Sequence, residues 1–263
     1  MIKTAILYGY GLNCQDETAY ACKVAGFENV EKIHINQLLN GLRKLSEFHL
    51  LVIPGGFSGG DQLGAGVFFA LKLEKLREDI EEFIAAGKLI LGICNGFQVL
   101  VNFGLLPGSL TYNDCGNFQT RWVNLKVNKN SPCVFTKGIK FLRLPVRNGE
   151  GKFWALPEEL DRIERNNLVV VKYASKDGLL AQEKFPANSS GSLRDIAGTT
   201  DNTGQVFGLM PHPEDNNRKT SHPVWTREKA KAQNGGYEYL PNKEGGGIII
   251  FRNARIYLEN KFK

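Results

Sequence analysis

Long apolar runs are missing from this 263-residue chain. Stretches such as Val67–Leu71 and Ile248–Phe251 fall far short of the ~20 residues a membrane-spanning helix needs. No secretory leader is expected either. The chain opens Met-Ile-Lys-Thr-Ala-Ile-Leu-Tyr-Gly and soon reaches Asp16 and Glu17, which reads as a first strand and points to the cytoplasm. Cysteine pairs are absent: Cys14, Cys22, Cys94, Cys115 and Cys133 form an odd set with no C-x-x-C spacing. Neither a disulfide framework nor a zinc site is indicated, and no metal is expected. No block of like charges occurs, and 33 basic against 27 acidic residues leave a mild net charge of +6, so neither nucleic acid nor membrane is expected as a partner. No phosphate loop of the G-x-x-x-x-G-K-[ST] form is present. Only four histidines, His34, His49, His212 and His222, are available for cysteine–histidine chemistry.

What is present is ordinary globular material, 42% hydrophobic and 23% charged. The first hundred residues alternate strand and helix signals. Thr4–Tyr8, Val30–Ile35, His49–Ile53 and Lys88–Ile93 read as strands. Glu17–Ala25, Gln37–Leu45, Val67–Ala86 and the segment after Gly96 read as helices. Continuous apolar strands alternating with helices predict a mostly parallel open α/β sheet covered on both faces. After about residue 105 the texture becomes strand-rich, with Phe118–Val127, Lys140–Val146 and Leu168–Tyr173, then a hairpin of Ile196–Thr200 and Gln205–Met210 around Asp201-Asn202-Thr203-Gly204. These strands are expected to extend the same sheet. Residues 1–263 are taken as one domain, with a polar, exposed insertion at about 215–247 and a closing strand or helix at Ile248–Leu258.

Three motifs carry chemistry. Gly92-Ile93-Cys94-Asn95-Gly96 lies between a buried strand and a helix. That is the nucleophile-elbow spacing with cysteine in place of serine. A sharp turn would project the central side chain, glycines would avoid collisions, and the helix N-terminus would favour a thiolate and a developing oxyanion. The plain alternative is a buried structural cysteine. Pro211-His212-Pro213-Glu214 follows an apolar strand, and residues two apart in extended chain point the same way. His212 and Glu214 can thus face one site as base and orienter; the alternative is a surface histidine in a turn. Pro54-Gly55-Gly56-Phe57-Ser58-Gly59-Gly60-Asp61 ends the third strand, and its glycines would let backbone N–H groups approach a ligand. Taken by itself, the loop reads better as a plain flexible turn.

Together these residues resemble the triad, or class I, glutamine amidotransferases. The resemblance extends through Phe97-Gln98, Gly104–Gly108, Gly149-Glu150-Gly151, Gly191-Ser192 and Ile196-Ala197-Gly198 to Gly208–Glu214, and within the group it is strongest to a purine-biosynthesis subfamily, the glutaminase subunits of phosphoribosylformylglycinamidine synthases. It implies a flavodoxin-like core. It implies Cys94 as nucleophile, His212 as general base and acid, Glu214 as orienter, an oxyanion hole at Gly56 and Asn95, and Gln98 and Arg121 in the glutamine pocket. It also implies glutamine as substrate and ammonia delivered to a separate synthetase subunit that carries ATP and magnesium, with room for a small accessory subunit. No cofactor is expected on this chain. Gly59 and Gly64 stand where an aromatic residue and an arginine are usual, Asn148 where histidine is common, and Asp215 where arginine is frequent. The alternatives are a stand-alone cysteine hydrolase of the DJ-1/PfpI type, a glutaminase serving another synthetase, and a non-catalytic scaffold. The last is marked by loss of the nucleophile or base, and both stand here.

Overall fold

The apolar runs of the first hundred residues become the parallel strands of the sheet in the computed structural model, which describes residues 1–234 and 244–262. β1 (Lys3–Tyr8), β2 (Asn29–His34), β3 (Leu50–Ile53) and β4 (Leu89–Ile93) alternate with helices α1 (Gln15–Val24), α2 (Ile35–Leu39), α3 (Val67–Leu73), α4 (Arg77–Ala85) and α5 (Asn95–Asn102). β5 (Ser109–Thr111) and β8 (Lys152–Trp154) form a small separate ribbon. β6 (Gln119–Val127), β7 (Phe141–Asn148), β9 (Val169–Ala174), β10 (Ile196–Thr200) and β11 (Val206–Leu209) join the main sheet. The remaining helices are α6 (Pro157–Arg165), α7 (Trp225–Asn234) and α8 (Ile248–Phe262).

The main sheet has nine strands in the order β2-β1-β3-β4-β11-β10-β9-β6-β7. The first five pair in parallel, and their order is the flavodoxin-like one, its fifth strand supplied by β11 from far along the chain. The other four pairings are antiparallel. Parallel pairing therefore accounts for half of the sheet, and the strand-rich second half continues it as one surface. β3 and β4 are buried throughout, because right-handed crossovers put α1 on one face and α2 to α5 on the other. α1 packs on α8 and α3 on α5. Among the described residues no helix is long and apolar enough to cross a membrane.

Three local expectations are revised. The helix expected over Gln37–Leu45 is α2, which starts and stops earlier. The His34 ring Nδ1 accepts from the Asn36 N–H at 3.2 Å, and the Gln37 side chain accepts from the His34 N–H at 2.9 Å; this cap sets the start, Gly41 at φ +68° turns the chain, and Leu42 is exposed. The helix expected over Val67–Ala86 is broken by a 3-10 turn at Glu74–Leu76. There Arg77 reaches the Phe103 carbonyl at 2.9 Å and stacks 4.1 Å over its ring, pinning the break to the end of α5.

The third revision concerns residues 215–247, of which 235–243 lie outside the described residues. The ends of this segment are packed. Asn216 is buried, a Cβ on Gly245 would strike the Asn216 carbonyl, and one on Gly247 would strike the Pro213 carbonyl. These glycines permit close approach to the strand end that carries His212. Ile248–Phe262, left open as strand or helix, is helical.

Candidate active site

Cys94 sits between β4 and α5 with φ 52° and ψ −106°. A non-glycine residue avoids this conformation unless its surroundings impose it. Here the Cys94 N–H donates to the Leu209 carbonyl at 2.8 Å, while its own carbonyl receives the Phe97 and Gln98 N–H groups opening α5. A Cβ on Gly92 would meet Leu100 and the Gly96 carbonyl, and one on Gly96 would strike the Ile53 carbonyl. The two glycines are thus required by contact with backbone. Cys94 is 6% exposed, and its thiol lies 3.6 Å from the Arg147 carbonyl.

His212 and Glu214 follow β11, which runs parallel to β4 in the register Gly208↔Gly92 and Leu209↔Ile93. Adjacent parallel strands therefore bring both segments to the same sheet end. The His212 N–H donates to the Pro145 carbonyl at 2.8 Å, and His212 Nδ1 lies 2.6 Å from Glu214 Oε1, both side chains buried. Nδ1–H donating to the carboxylate leaves the Nε2 lone pair free. That atom is buried and has no hydrogen-bond partner among the described residues. The ring carbon of His212, the Cys14 sulfur and the Cys94 Cβ converge on the space above Gly55. Burial opposes a charged imidazole, but the charges of Glu214 and Cys94 and the hydrogen bond to Glu214 outweigh it, and the His212 pKa is pushed up to about 10.

Behind this pair stands Arg147, from β7. Its Nη2 is 2.9 Å from Asp215, 3.2 Å from His212 Nδ1, 3.9 Å from Glu17 and 4.0 Å from Glu214. Burial and the charge of Glu214 push the Asp215 carboxyl up to about 6, against the opposing pull of His212 and Arg147. Cys14, His212 and Glu214 have atoms within 4.8 Å of one another, a set of metal-donor types. Its imidazole and carboxylate are bonded to each other, however, and burial with Glu214's charge raises the Cys14 thiol well above its ordinary range, so the sulfur stays protonated and is a poor ligand.

The Pro54–Asp61 loop is fastened to the elbow through one side chain. Asn95 Oδ1 accepts the Ser58 N–H at 3.2 Å, and its Nδ2 donates to Asp61 at 3.2 Å and to Gln98 Oε1 at 2.9 Å. Gln98 Nε2 donates to the Glu150 carbonyl at 2.5 Å. Gly56, at φ +154°, lies so close to Gly11 and Leu12 that a Cβ would strike backbone. The ladder there uses Gly55 and Phe57 and leaves the Gly56 N–H out. The Asn95 N–H, at the first position of α5, has no carbonyl one turn back. Gly56 and Cys94, the residue before Asn95, line a cavity of about 180 Å³ together with Gln98, Arg147, Asn148 and Glu150 among others.

Cys94, His212, Glu214, Gly56, Asn95 and Gln98 are thus brought together, and Arg121 is not. Arg121 donates to Gln119 at 2.8 Å and stacks 4.5 Å over Phe185. In the β6–β7 pairing Arg121 faces Val146 while Thr120 faces Arg147. Arg121 is not among the residues lining the cavity, which take in both Arg147 and Asn148 at the end of β7. Arg147 and Cys14 were missed from the sequence. The one available signal for Cys14 was its position just after β1, beside the switch point between β1 and β3 where ligands bind in such sheets.

Comparison with known proteins follows the same lines. The sequence profile of CobB/CobQ-like glutamine amidotransferase domains matches residues 1–258. The phosphoribosylformylglycinamidine synthase subunit PurQ of Dehalococcoides mccartyi is 45% identical over 262 residues, 96% of this chain and 96% of that protein. Its counterpart in Methanococcus maripaludis is 41% identical over 266 residues, covering 97% of each. Among solved structures, one chain of PurLQS from Thermotoga maritima is similar with a TM-score of 0.70 at 30% identity, over 98% of this chain and 99% of that one.

Proposed function

Since the chain belongs to the CobB/CobQ-like glutamine amidotransferase family, we propose that residues 1–263 act as one amidotransferase domain in which Cys94, His212 and Glu214 perform the chemistry. The chain is a glutaminase subunit of phosphoribosylformylglycinamidine synthase, and it works with a synthetase subunit and a small third subunit, as PurQ does in PurLQS. Cys94 gives its proton to His212 Nε2 and attacks the side-chain amide carbon of glutamine. The Gly56 and Asn95 N–H groups receive the oxyanion. His212 returns the proton to departing ammonia, leaving a γ-glutamyl thioester. Water, deprotonated by His212, cleaves the thioester to glutamate and restores the thiol. Glu214 holds the ring through Nδ1 and supports the imidazolium at each stage.

The observation that carries this reading is the strained backbone of Cys94 facing a buried His212–Glu214 pair bonded at 2.6 Å. Ammonia passes to the synthetase subunit, which uses ATP and magnesium to convert formylglycinamide ribonucleotide to its amidine. No cofactor is assigned to this chain, and the cytoplasm is its place of work.

The test uses the chain assembled with its synthetase subunit. Cys94→Ala is expected to abolish glutamine-dependent product while synthesis from added ammonium salts continues, because only the thioester step is removed. Full-rate glutamine hydrolysis by the isolated chain, with no stimulation by the synthetase, would favour a stand-alone hydrolase.

A further inference from the structure

At the end of the sheet away from the triad lies a larger cavity, of about 750 Å³. β6 begins at Gln119, paired with Asn148 of the catalytic cavity, and runs nine residues to Val127. At ~3.4 Å per residue that separates the two cavities by roughly 27 Å. One wall is the chain between β6 and β7, residues 128–140. The other is α8, which contributes Asn253, Ile256, Tyr257 and Asn260, a spacing that sets all four on one helix face. Hydrogen bonds within the protein shape both walls. Asn253 Nδ2 donates to the Phe135 and Lys137 carbonyls at 3.0 and 2.9 Å. The Val134 N–H donates to the Gly204 carbonyl at 3.0 Å, and the Tyr257 hydroxyl donates to Gln205 at 3.2 Å.

The charge of this lining has one sign. Lys129, Lys137 and Lys140 contribute to it, and no carboxylate does. All three lysines are exposed, and none forms an ion pair among the described residues. Three positive charges around one hollow make a focus of potential that an anion relieves. The remaining surface is apolar with amides. Ile139 and the half-buried Tyr257 lie there, and Ile256 is left 46% exposed. The Asn253 oxygen and both ends of the Asn260 amide have no hydrogen-bond partner among the described residues.

From this we propose that the cavity between α8 and the β6–β7 connection binds a nucleoside phosphate. The three ammonium groups receive the phosphate through charge-assisted hydrogen bonds. Ile139, Ile256 and the Tyr257 ring cover the sugar and base, while the Asn253 oxygen and the Asn260 amide offer an acceptor and donors to the polar edge of the base. The volume suits a ligand of this class. Inorganic phosphate alone would fill a small part of it and leave the apolar side chains uncovered. An extended acidic chain calls for an open groove, whereas here a hydrogen-bonded loop and a helix close on a hollow from two sides. None of the triad residues takes part, so this is a second site, separate from the glutaminase centre.

The test is calorimetric titration of the full chain, at low salt, with the 5′-monophosphates of adenosine and uridine, with the two nucleosides, with inorganic phosphate and with a hexaglutamate peptide. At least one monophosphate is expected to bind with a Kd of about 10–500 µM. Its nucleoside and inorganic phosphate should each bind at least about tenfold more weakly, and added salt should weaken the monophosphate. The double variant Lys137→Ala, Lys140→Ala should lose about tenfold or more in affinity. Ile256→Asp should lose a similar amount, since it removes apolar cover and sets a negative charge in the hollow. Lys75→Ala, in the 3-10 turn at Glu74–Leu76 outside the cavity, should bind like the parent. The substituted side chains are exposed, and parent-like glutamine hydrolysis by the assembled variants confirms that they fold. Equal affinity for phosphate and monophosphate would reduce the site to a patch of positive charge. Tighter binding of the peptide would make it a docking surface for an acidic segment, and unchanged affinity in the lysine variant would place the nucleotide elsewhere. Each of these results overturns the proposal, as does the absence of binding by either monophosphate. A parent complex that hydrolyses no glutamine would instead strike at the glutaminase reading alone.

Discussion

Replacing Glu214 by glutamine keeps the size of the side chain and removes its charge from a fully buried position. In the native site Oε1 sits 2.6 Å from His212 Nδ1, and Oε2 has no hydrogen-bond partner among the described residues. The carboxylate charge is therefore directed at the imidazole, with Arg147 more distant at 4.0 Å. Breaking one partner out of a buried charge pair costs about 3–5 kcal/mol. At about 1.4 kcal/mol per pKa unit, this lowers the His212 pKa, now pushed up to about 10, by roughly two to four units. Both half-reactions pass through an imidazolium, so the barrier rises by a similar amount and kcat/KM should fall about 10²- to 10⁴-fold. A glutamine amide also offers an N–H toward Nδ1, which favours the tautomer with its proton on Nε2, unable to accept from Cys94. The assay is glutamate release by the assembled complex, with synthesis from ammonium salts as the control for folding and docking. Because the carboxylate acts in the transition state, the loss should appear in kcat with little change in KM. A variant within about threefold of the parent in kcat would refute this assignment of the orienting acid.

Gly96→Ala should destabilise the chain by an amount near or above the upper end of about 1–3 kcal/mol, since its Cβ meets the Ile53 carbonyl and backbone cannot rotate away; chemical denaturation measures the loss, and an unchanged midpoint would show that the elbow relaxes. The His212 pKa is raised in the folded state, so the stabilisation it reports is fully present below about 6.5 and is lost as pH rises through about 10. Urea midpoints recorded from pH 6 to 10.5 should decline toward the alkaline end, and the decline should be smaller in His212→Gln, where the buried thiols still contribute to it. Among the cysteines outside the triad, exposed Cys115 should alkylate in the native chain. Buried Cys22, whose thiol burial raises, and Cys133, pushed up to about 12 chiefly by burial, should react only on unfolding, a difference read by mass spectrometry after timed iodoacetamide treatment.

The parts of the site that were legible in sequence are those set by neighbours in the chain. The elbow follows from an apolar run, two glycines and a helical continuation within a dozen residues, and the His212–Glu214 pair follows from spacing two in an extended segment. Arg147 was not legible, because its position depends on the Pro145 carbonyl meeting the His212 N–H, a contact between residues far apart in sequence. Arg121 shows a related limit: its guanidinium is taken up by Gln119 and Phe185, away from the residues lining the cavity, and chain order alone does not supply that placement. α2 shows a further limit. Leu38, Leu39, Leu42 and Leu45 repeat at helical spacing, yet the cap at His34 and the turn at Gly41 decide where the helix lies. The glycines near residue 245 read as an open loop in sequence, whereas here they allow contact with the Asn216 and Pro213 backbone.

The strand-rich second half has a geometric reason to exist. Cys94 and His212 both follow the carboxyl ends of strands, so they meet only if those strands run the same way. An antiparallel β11 of four residues would carry His212 to the opposite sheet end, roughly 13 Å off at ~3.3 Å per residue. A parallel neighbour, however, cannot be reached by a hairpin; it needs a long crossover connection. Here that connection is everything between α5 and β11. It leaves the sheet, adds β6, β7, β9 and β10 at the far side, and turns back through the β10–β11 hairpin so that β11 slots in beside β4. The four antiparallel pairings thus reverse the chain direction often enough to deliver one histidine to one cysteine. Along the way β7 contributes Arg147, Asn148 and the turn bearing Glu150, so the detour that places the base also builds the wall of the cavity.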